Sequence, residues 1–438
     1  MKKYELTDEY IEIGLVTKIK LYRIKALVTI ASIGVSAGDL GGYVEKESNL
    51  DQSGNAWVYG NAKVYGNAEV CGNARVFDDA KVFDDAKVYG NAKVYGNAEV
   101  FDDAEVYGNA KVFDDAWVYG NAWVYGNAKV YGNARVFDDA KVYGNAEVCG
   151  NARVFDDAWV YGNAWVYGNA EVYGNAKVYG NARVFDDAKV YGNAEVYGNA
   201  KVFDDAEVCG NARVFDDAKV YGNARVYGNA EVFDDAEVYG NAKVCDDAEV
   251  CGNARVFDDA KVFDDAEVCG NARVFDDAKV CGNAEVYGNA RVFDDAWVYG
   301  NAWVYGNAKV YGNAEVCGNA RVFDDAEVFG NAKVCGNARV FDDAEVYGNA
   351  KVYGNAEVCD DARVYERSDI VWFSNVGTEY GTLTVFKTKQ GVLWVTRGCF
   401  SGSVEEFLKK SAEVHDEKNK REYQLLIEVA KSRLEETQ

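Results

Sequence analysis

From Ala56 to Ala362 an alanine stands at every sixth position and a valine follows two places later throughout, which gives fifty-two hexads without insertion or deletion. The unit is Ala-x-Val-z followed by a two-residue turn. Position x is Lys 17 times, Glu 16, Arg 12 and Trp 7; position z is Tyr 25 times, Phe 17 and Cys 10. The turn pair is Gly-Asn in 33 hexads, Asp-Asp in 18 and Glu366-Arg367 in the last. Successive strand residues point to opposite faces, so Ala and Val share one face while x and z share the other. The charge at x makes that second face wet, which leaves Ala and Val as the core. Gly and Asn tolerate positive φ, and Asp does so moderately. A four-residue strand plus a two-residue corner, repeated without pause, predicts a prism with one side per hexad rather than a globule.

The pattern resembles the hexapeptide-repeat family, in which an aliphatic residue points inward, a small residue sits two places earlier and Asn stands at the corner. Val58, Ala56 and Asn61 occupy those places, and their equivalents recur from about residue 50 to 367. One departure is the residue after the valine, which is small in the family and Tyr, Phe or Cys here. The resemblance implies an all-β fold, a single-stranded left-handed parallel β-helix with three hexads per coil and about 17 coils. At roughly 4.8 Å between strands the rod would be about 80 Å long. The expected divisions are an N-terminal β cap with a degenerate first coil (1–54), the repeat helix (55–367) and a C-terminal α+β cap or interaction domain (368–438).

At the N-terminal end, Leu21–Val28 reads as a strand and Gly38–Val44 as a tight turn entering the first coil. Leu50–Asn55 reads as a degenerate hexad with Leu50 in the alanine place. After Arg367, residues 382–386 and 392–396 read as a hairpin around Gly391. Ser403 and Glu406 form a capping-box pattern for a helix through about Ala412. A second helix is expected from about Asn419 to Leu434, with Leu425, Leu426, Val429, Ala430 and Leu434 as its apolar residues. The Leu40-Gly41-Gly42 segment is similar to the start of uncharacterised bacterial and phage hexapeptide proteins labelled putative transferases, and Arg397–Gly402 resembles the tails of phage-borne relatives.

The chain carries 47 basic and 72 acidic residues, a formal charge of −25, which opposes direct binding to nucleic acid or an anionic membrane. The Met1–Glu5 start lacks the apolar stretch of a secretion signal, so a cytoplasmic location is expected. A site on one wall should show an 18-residue period. The 18 Asp-Asp corners instead divide seven, six and five among the three edges. The cassette Glu-Val-Cys-Gly-Asn-Ala-Arg-Val-Phe-Asp-Asp recurs six times, from Glu69 to Glu315, at offsets of which one alone is a multiple of eighteen. The walls thus read as equivalent.

Stacked corners such as Asp258, Asp276 and Asp294 offer several oxygens, as calcium requires, but a solvated edge is the simpler reading. Cys251 with Cys269, and Cys317 with Cys335, fall 18 apart as ladder neighbours whose spacing permits a disulfide; in a cytoplasmic chain they are expected reduced. The pairs Trp117/Trp123, Trp159/Trp165 and Trp297/Trp303 suggest outward contact patches. Cys399 and His415 could meet in the C-terminal segment as a nucleophile pair, without an orienting partner. No residue is assigned a catalytic, cofactor-binding or metal-binding role, and no cofactor is expected. The expected function is that of a non-enzymatic acidic structural or interaction protein, with a protein partner or self-association. The alternatives are an acyltransferase, implied by the family resemblance alone and lacking any histidine in the hexads for general-base work, and an acidic mimic of DNA.

Overall fold

The computed structural model describes residues 2–434, in two compact units, Met1–Gly222 and Asn223–Gln438. In each unit the hexads form a parallel β-solenoid with three strands per turn, every strand pairing in register with the one eighteen residues on, as Arg135 does with Arg153 and Glu249 with Glu267. All hexad alanines and valines are fully buried. The ladder runs from the x amide to the alanine carbonyl of the next coil and from the z amide to the valine carbonyl, as in Arg153 N to Ala170 O (2.9 Å) and Phe155 N to Val172 O (3.1 Å). Because the interior holds only methyl-bearing side chains, these bonds and the contacts outside must carry much of the stability.

The strand is shorter than the alternation predicts. The strand is x and Val alone, as at Lys81–Val82, except at Glu315–Gly318 and Lys333–Gly336, where it runs on through z. The z carbonyl instead accepts from the alanine amide three residues on, as in Ala86 N to Phe83 O (3.3 Å). That bond draws z into the corner, so the corner is a four-residue turn. Positive φ falls on the first corner residue, Gly or Asp (Asp156, φ 55°; Gly150, φ 68°), while the Asn that follows is not left-handed. Asn is there for its side chain.

In the Met1–Gly222 unit, β1 (Tyr4–Ile13), β2 (Ile19–Ala26) and β3 (Leu40–Val44) form an antiparallel sheet, and β3 then pairs in parallel with Lys63–Val64. The expected tight turn at 38–44 is therefore confined to its start, and 40–44 is the first strand of the solenoid edge. Gly41 and Gly42 permit this: a Cβ on Gly41 would lie 2.5 Å from Ile24 Cγ1, and one on Gly42 2.6 Å from the Ala62 carbonyl oxygen.

Leu50 does not take the alanine place. It bridges to Val70, and Asp51 N donates to Val70 O (3.0 Å), so Leu50 stands where a valine stands and the corner after it holds two extra residues. That wider corner receives the chain start: Gln52 Oε1 accepts from Lys3 N (2.8 Å) and Tyr4 N (3.3 Å), and Lys3 Nζ donates to Ala56 O (2.9 Å).

In the Asn223–Gln438 unit the hairpin appears as expected, within a four-stranded antiparallel sheet of Ile370–Val376, Gly381–Lys387, Leu393–Arg397 and Phe400–Ser403. The sheet closes the last coil by hydroxyls: Thr384 Oγ1 accepts from Glu357 N (3.0 Å) and Thr396 Oγ1 donates to Glu357 O (2.7 Å). Those bonds satisfy backbone groups that an open solenoid edge would leave for another strand. Helix α1 (Val404–Val414) starts at the Ser403 capping box and α2 spans Glu417–Leu434. The face of α2 that packs carries Tyr423, Ile427, Ala430 and Leu434, while Leu425 and Val429 are exposed. Of the expected apolar set, Ala430 and Leu434 are buried and Leu426 packs against the core, and Tyr423 and Ile427, which the expectation omitted, complete the i, i+4, i+7 stripe.

Candidate interaction surface

The z side chains make ring columns. In the Met1–Gly222 unit, Tyr89, Tyr107, Tyr125, Tyr143, Tyr161, Tyr179, Tyr197 and Phe215 stack at centroid separations of 4.8–4.9 Å with planes within 5°. The stacking is as the sequence predicts, and each pair contributes about 0.5–1.5 kcal/mol beyond burial. Half-burial in the stack pushes the Tyr65 and Tyr143 phenols up to about 12, burial being the first cause of each.

The corner asparagines form a second kind of column. Asn55, Asn73, Asn91 and their successors to Asn199 each donate Nδ2 to the Oδ1 one coil on, ending on Asp217. Aspartate has no donor, so it ends the ladder. The first aspartate of a corner has a different role: its carboxylate accepts the amide of the next corner, as Asp156 Oδ2 does from Gly174 N (3.1 Å) and Asp294 Oδ2 from Gly312 N (3.0 Å). This bond was missed in the sequence, although Asp at a left-handed position was the signal for it.

The tryptophans do not form paired patches. One hexad makes one wall, so partners in adjacent hexads lie on different walls. Each sits beside a cation of a neighbouring coil, as Trp117 does with Arg135 (4.7 Å) and Trp303 with Arg321 (4.5 Å). Trp123, Trp165 and Trp297 remain 40–42% exposed.

Cys251–Cys269 and Cys317–Cys335 are ladder neighbours with Cα atoms 4.6 Å apart, and both pairs are joined as disulfides rather than standing reduced. The ladder itself brings the Cα atoms to bonding distance. Asp342, Cys359 and Asp360 bring three ligand-type atoms within 4.8 Å of one another. Asp360 is already occupied: its Oδ2 accepts from Trp394 Nε1 (3.0 Å), the Cys359 thiol (3.1 Å) and the Ser401 hydroxyl. Burial opposes ionisation of Asp360, but these donors hold its carboxyl below the usual range, while burial raises the Cys359 thiol. The cluster fastens the C-terminal sheet to the coil end. Cys399 and His415 both line a small cavity of about 150 Å³ with Phe400, Phe407 and Lys410, and the His415 ring lies against Tyr423 (5.3 Å).

The x positions overturn the equivalence of the walls. Sorting corners hides what sorting x reveals, because corner charge is spread evenly while x charge is not. In the Asn223–Gln438 unit one wall reads Glu231, Glu249, Glu267, Glu285 in four successive coils. The next wall reads Arg255, Arg273, Arg291, Lys309, and the remaining one Arg225, Lys243, Lys261, Lys279. Cationic runs also occur in the Met1–Gly222 unit, as in Arg75, Lys93, Lys111 and Lys129, but its glutamates stand beside cations and pair between coils, as Glu99 does with Lys81 (2.6 Å) and Glu147 with Lys129 (2.7 Å).

Among the described residues no helix is long and apolar enough to cross a membrane. No curated protein matches the chain. Residues 146–162, 218–232 and 284–300 match the family model described as YdcK Beta solenoid repeat. The chain is therefore similar to that family over three coil-length segments, and it is a β-solenoid repeat protein whose repeats form a structural scaffold.

Proposed function

We propose that this chain is a non-enzymatic scaffold that works by presenting its charged and aromatic walls to a protein partner or to further copies of itself. The observation that carries this reading is the unbroken hexad count: fifty-two units with no loop excursion between Ala56 and Ala362. Pocket-forming repeat enzymes depend on such excursions, since a two-residue corner cannot carry a catalytic side chain over a cleft. Two depressions of about 610 and 630 Å³ lie on the Met1–Gly222 unit and are lined by x residues and corners such as Arg135, Arg153, Asn151 and Asp187. These are shallow polar grooves of the repeat itself. Sedimentation velocity of the full chain across a concentration series tests the reading, with affinity capture from host lysate for a foreign partner. A chain that stays monomeric at high concentration and retains no protein would refute it.

A further inference from the structure

The Asn223–Gln438 unit carries two columns of like charge, and among their members from Glu249 to Glu285 and from Arg255 to Arg291 the one salt bridge within the described residues is Arg255 to Glu237 (3.4 Å). Other glutamates at x, Glu69 apart, are held by a cation of the adjacent coil or by a tyrosine hydroxyl sixteen residues earlier, as Glu327 is by Lys309 (2.7 Å) and Tyr311 (2.9 Å). For Glu267 and Glu285 the residues sixteen places earlier are Cys251 and Cys269, and for Glu249 the residue is Phe233. None of these donates a phenol. Their ladder neighbours are glutamates, and none of the three forms a salt bridge among the described residues. Burial and the neighbouring carboxylates push Glu249 and Glu285 up. The adjacent wall repeats the situation with the opposite sign at Arg273 and Arg291, whereas Arg255 at the end of the run pairs with Glu237 (3.4 Å); all three are exposed.

One eleven-residue cassette writes both columns. It begins at Glu249 and Glu267 and, with Tyr287 in place of the cysteine, at Glu285, one turn apart, and places Glu on one wall, Gly-Asn at the corner and Arg on the next wall. The corner between the two walls is thus neutral. The lysine wall is a weaker complement, because Asp corners flank it on both sides (Asp246 and Asp264 on one, Asp258, Asp276 and Asp294 on the other).

We propose that the Glu249–Glu267–Glu285 wall of one copy docks on the Arg255–Arg273–Arg291 wall of a second copy, each column supplying the counter-charges the other lacks. The inference rests on the scaffold reading and names its self-associating surfaces. Both columns repeat at the coil spacing, so aligned coils set carboxylates opposite guanidiniums along the whole run. Arginine suits this, since its planar fork takes a carboxylate in two parallel bonds. The chain's net charge of −25 opposes association at long range, but beyond about 8 Å it is screened at physiological ionic strength. Contact between complementary columns then decides the outcome.

The test uses the full chain and two triple variants: Glu249→Lys/Glu267→Lys/Glu285→Lys and Arg255→Glu/Arg273→Glu/Arg291→Glu. Position x accepts Lys, Arg, Glu and Trp throughout the repeat, so both should fold, which circular dichroism checks. By sedimentation velocity the wild type should self-associate, roughly tenfold more weakly in high salt than in low salt, as expected when contacts are screened. Each variant alone should stay monomeric, and their equimolar mixture should associate. The first variant lowers net charge from −25 to −19, three changes of two charges each. A colloidal origin therefore predicts more association where the docking predicts less. A lysine variant that self-associates like wild type overturns these surfaces but leaves the scaffold reading intact. A wild type that is monomeric at low salt overturns both the surfaces and the self-association they serve.

Discussion

Asp156 is the sharpest place to test how the corners work. Its φ of 55° is left-handed, and its Oδ2 accepts the Gly174 amide at 3.1 Å. Replacing it with Ala removes the acceptor and leaves a residue that dislikes this conformation by about 1–2 kcal/mol. The lost bond adds about 1 kcal/mol, the net worth of a partly solvated hydrogen bond. Part of the conformational cost is already borne by Asp, so Asp156→Ala should destabilise by ~1.5–3 kcal/mol. Asp156→Gly loses the same bond but is relaxed at positive φ, and should fall within ~1 kcal/mol of wild type. Asp156→Asn keeps an acceptor oxygen and tolerates the left-handed region, so it should be milder than Ala. Urea unfolding reads the ranking, and native-state exchange at the Gly174 amide reads the bond, which should lose protection in the Ala and Gly variants alike. Because each coil touches only its neighbours, the loss should be local to coils around residue 156. If Ala and Gly prove equal in stability, the left-handed corner is not what constrains this position and the reasoning fails.

Three further outcomes follow from the same geometry. The Tyr65 and Tyr143 phenols sit at about 12 against an ordinary 10.0. Their contribution to stability is therefore intact below pH about 10 and lost as pH rises from there toward 12; phenolate absorbance that saturates near pH 10 in the folded chain would contradict this. Glu249 and Glu285 are raised carboxyls, so their charged forms weaken the fold above the carboxylate range, and stability rises as acidification protonates them. Glu249→Gln/Glu285→Gln should accordingly raise the melting temperature at neutral pH and flatten its dependence on acid. Reducing Cys251–Cys269 and Cys317–Cys335, each closing an 18-residue loop, should cost about 3 kcal/mol per bond, checked by melting with and without reductant after peptide mapping of the linked fragments.

Much of the fold was legible because the hexad enforces it. Ala and Val at two fixed places dictate a thin core, and nothing in the fifty-two units contradicts that pattern. The failures came where local bonds compete with alternation. The strand lost two residues to a turn bond that joins z to the next alanine, a feature that side-chain pattern cannot show. Leu50 was placed by counting back in sixes, whereas the wider corner at Asp51–Asn55 shifts the count by two to admit Lys3 and Tyr4. A signal for this end structure lies in the chain itself. Val44-Glu45-Lys46-Glu47-Ser48-Asn49-Leu50 and Val364-Tyr365-Glu366-Arg367-Ser368-Asp369-Ile370 share one outline, and both fold as a 3₁₀ turn in which Asn49 or Asp369 bonds back to the amide at its start. In α2, Tyr423 went unread as core because its ring is amphipathic, yet it packs edge-on against Phe407 (5.1 Å).

Five of the six hexad positions have a structural occupation. Alanine and valine fill the interior, z stacks, the first corner residue must accept positive φ, and the second extends an amide ladder or ends it. Position x has none of these duties; its side chain leaves the wall into solvent, and Lys, Arg, Glu and Trp all serve. Any message such a solenoid carries about its partners must therefore be written mainly at x. Read that way, alternating signs such as Lys81 and Glu99 are satisfied inside the chain and carry little outward. Like signs in successive coils cost about 0.9 kcal/mol per neighbouring pair at 4.8 Å in water, and where no opposite charge stands in the next coil a counter-charge from a second molecule can recover that cost. The run from Arg75 to Lys129 carries the same penalty, but in the columns from Glu249 to Glu285 and from Arg255 to Arg291 the two signs stand on adjacent walls, so one copy offers both halves of a complementary contact and its surface there has most to gain from a second copy.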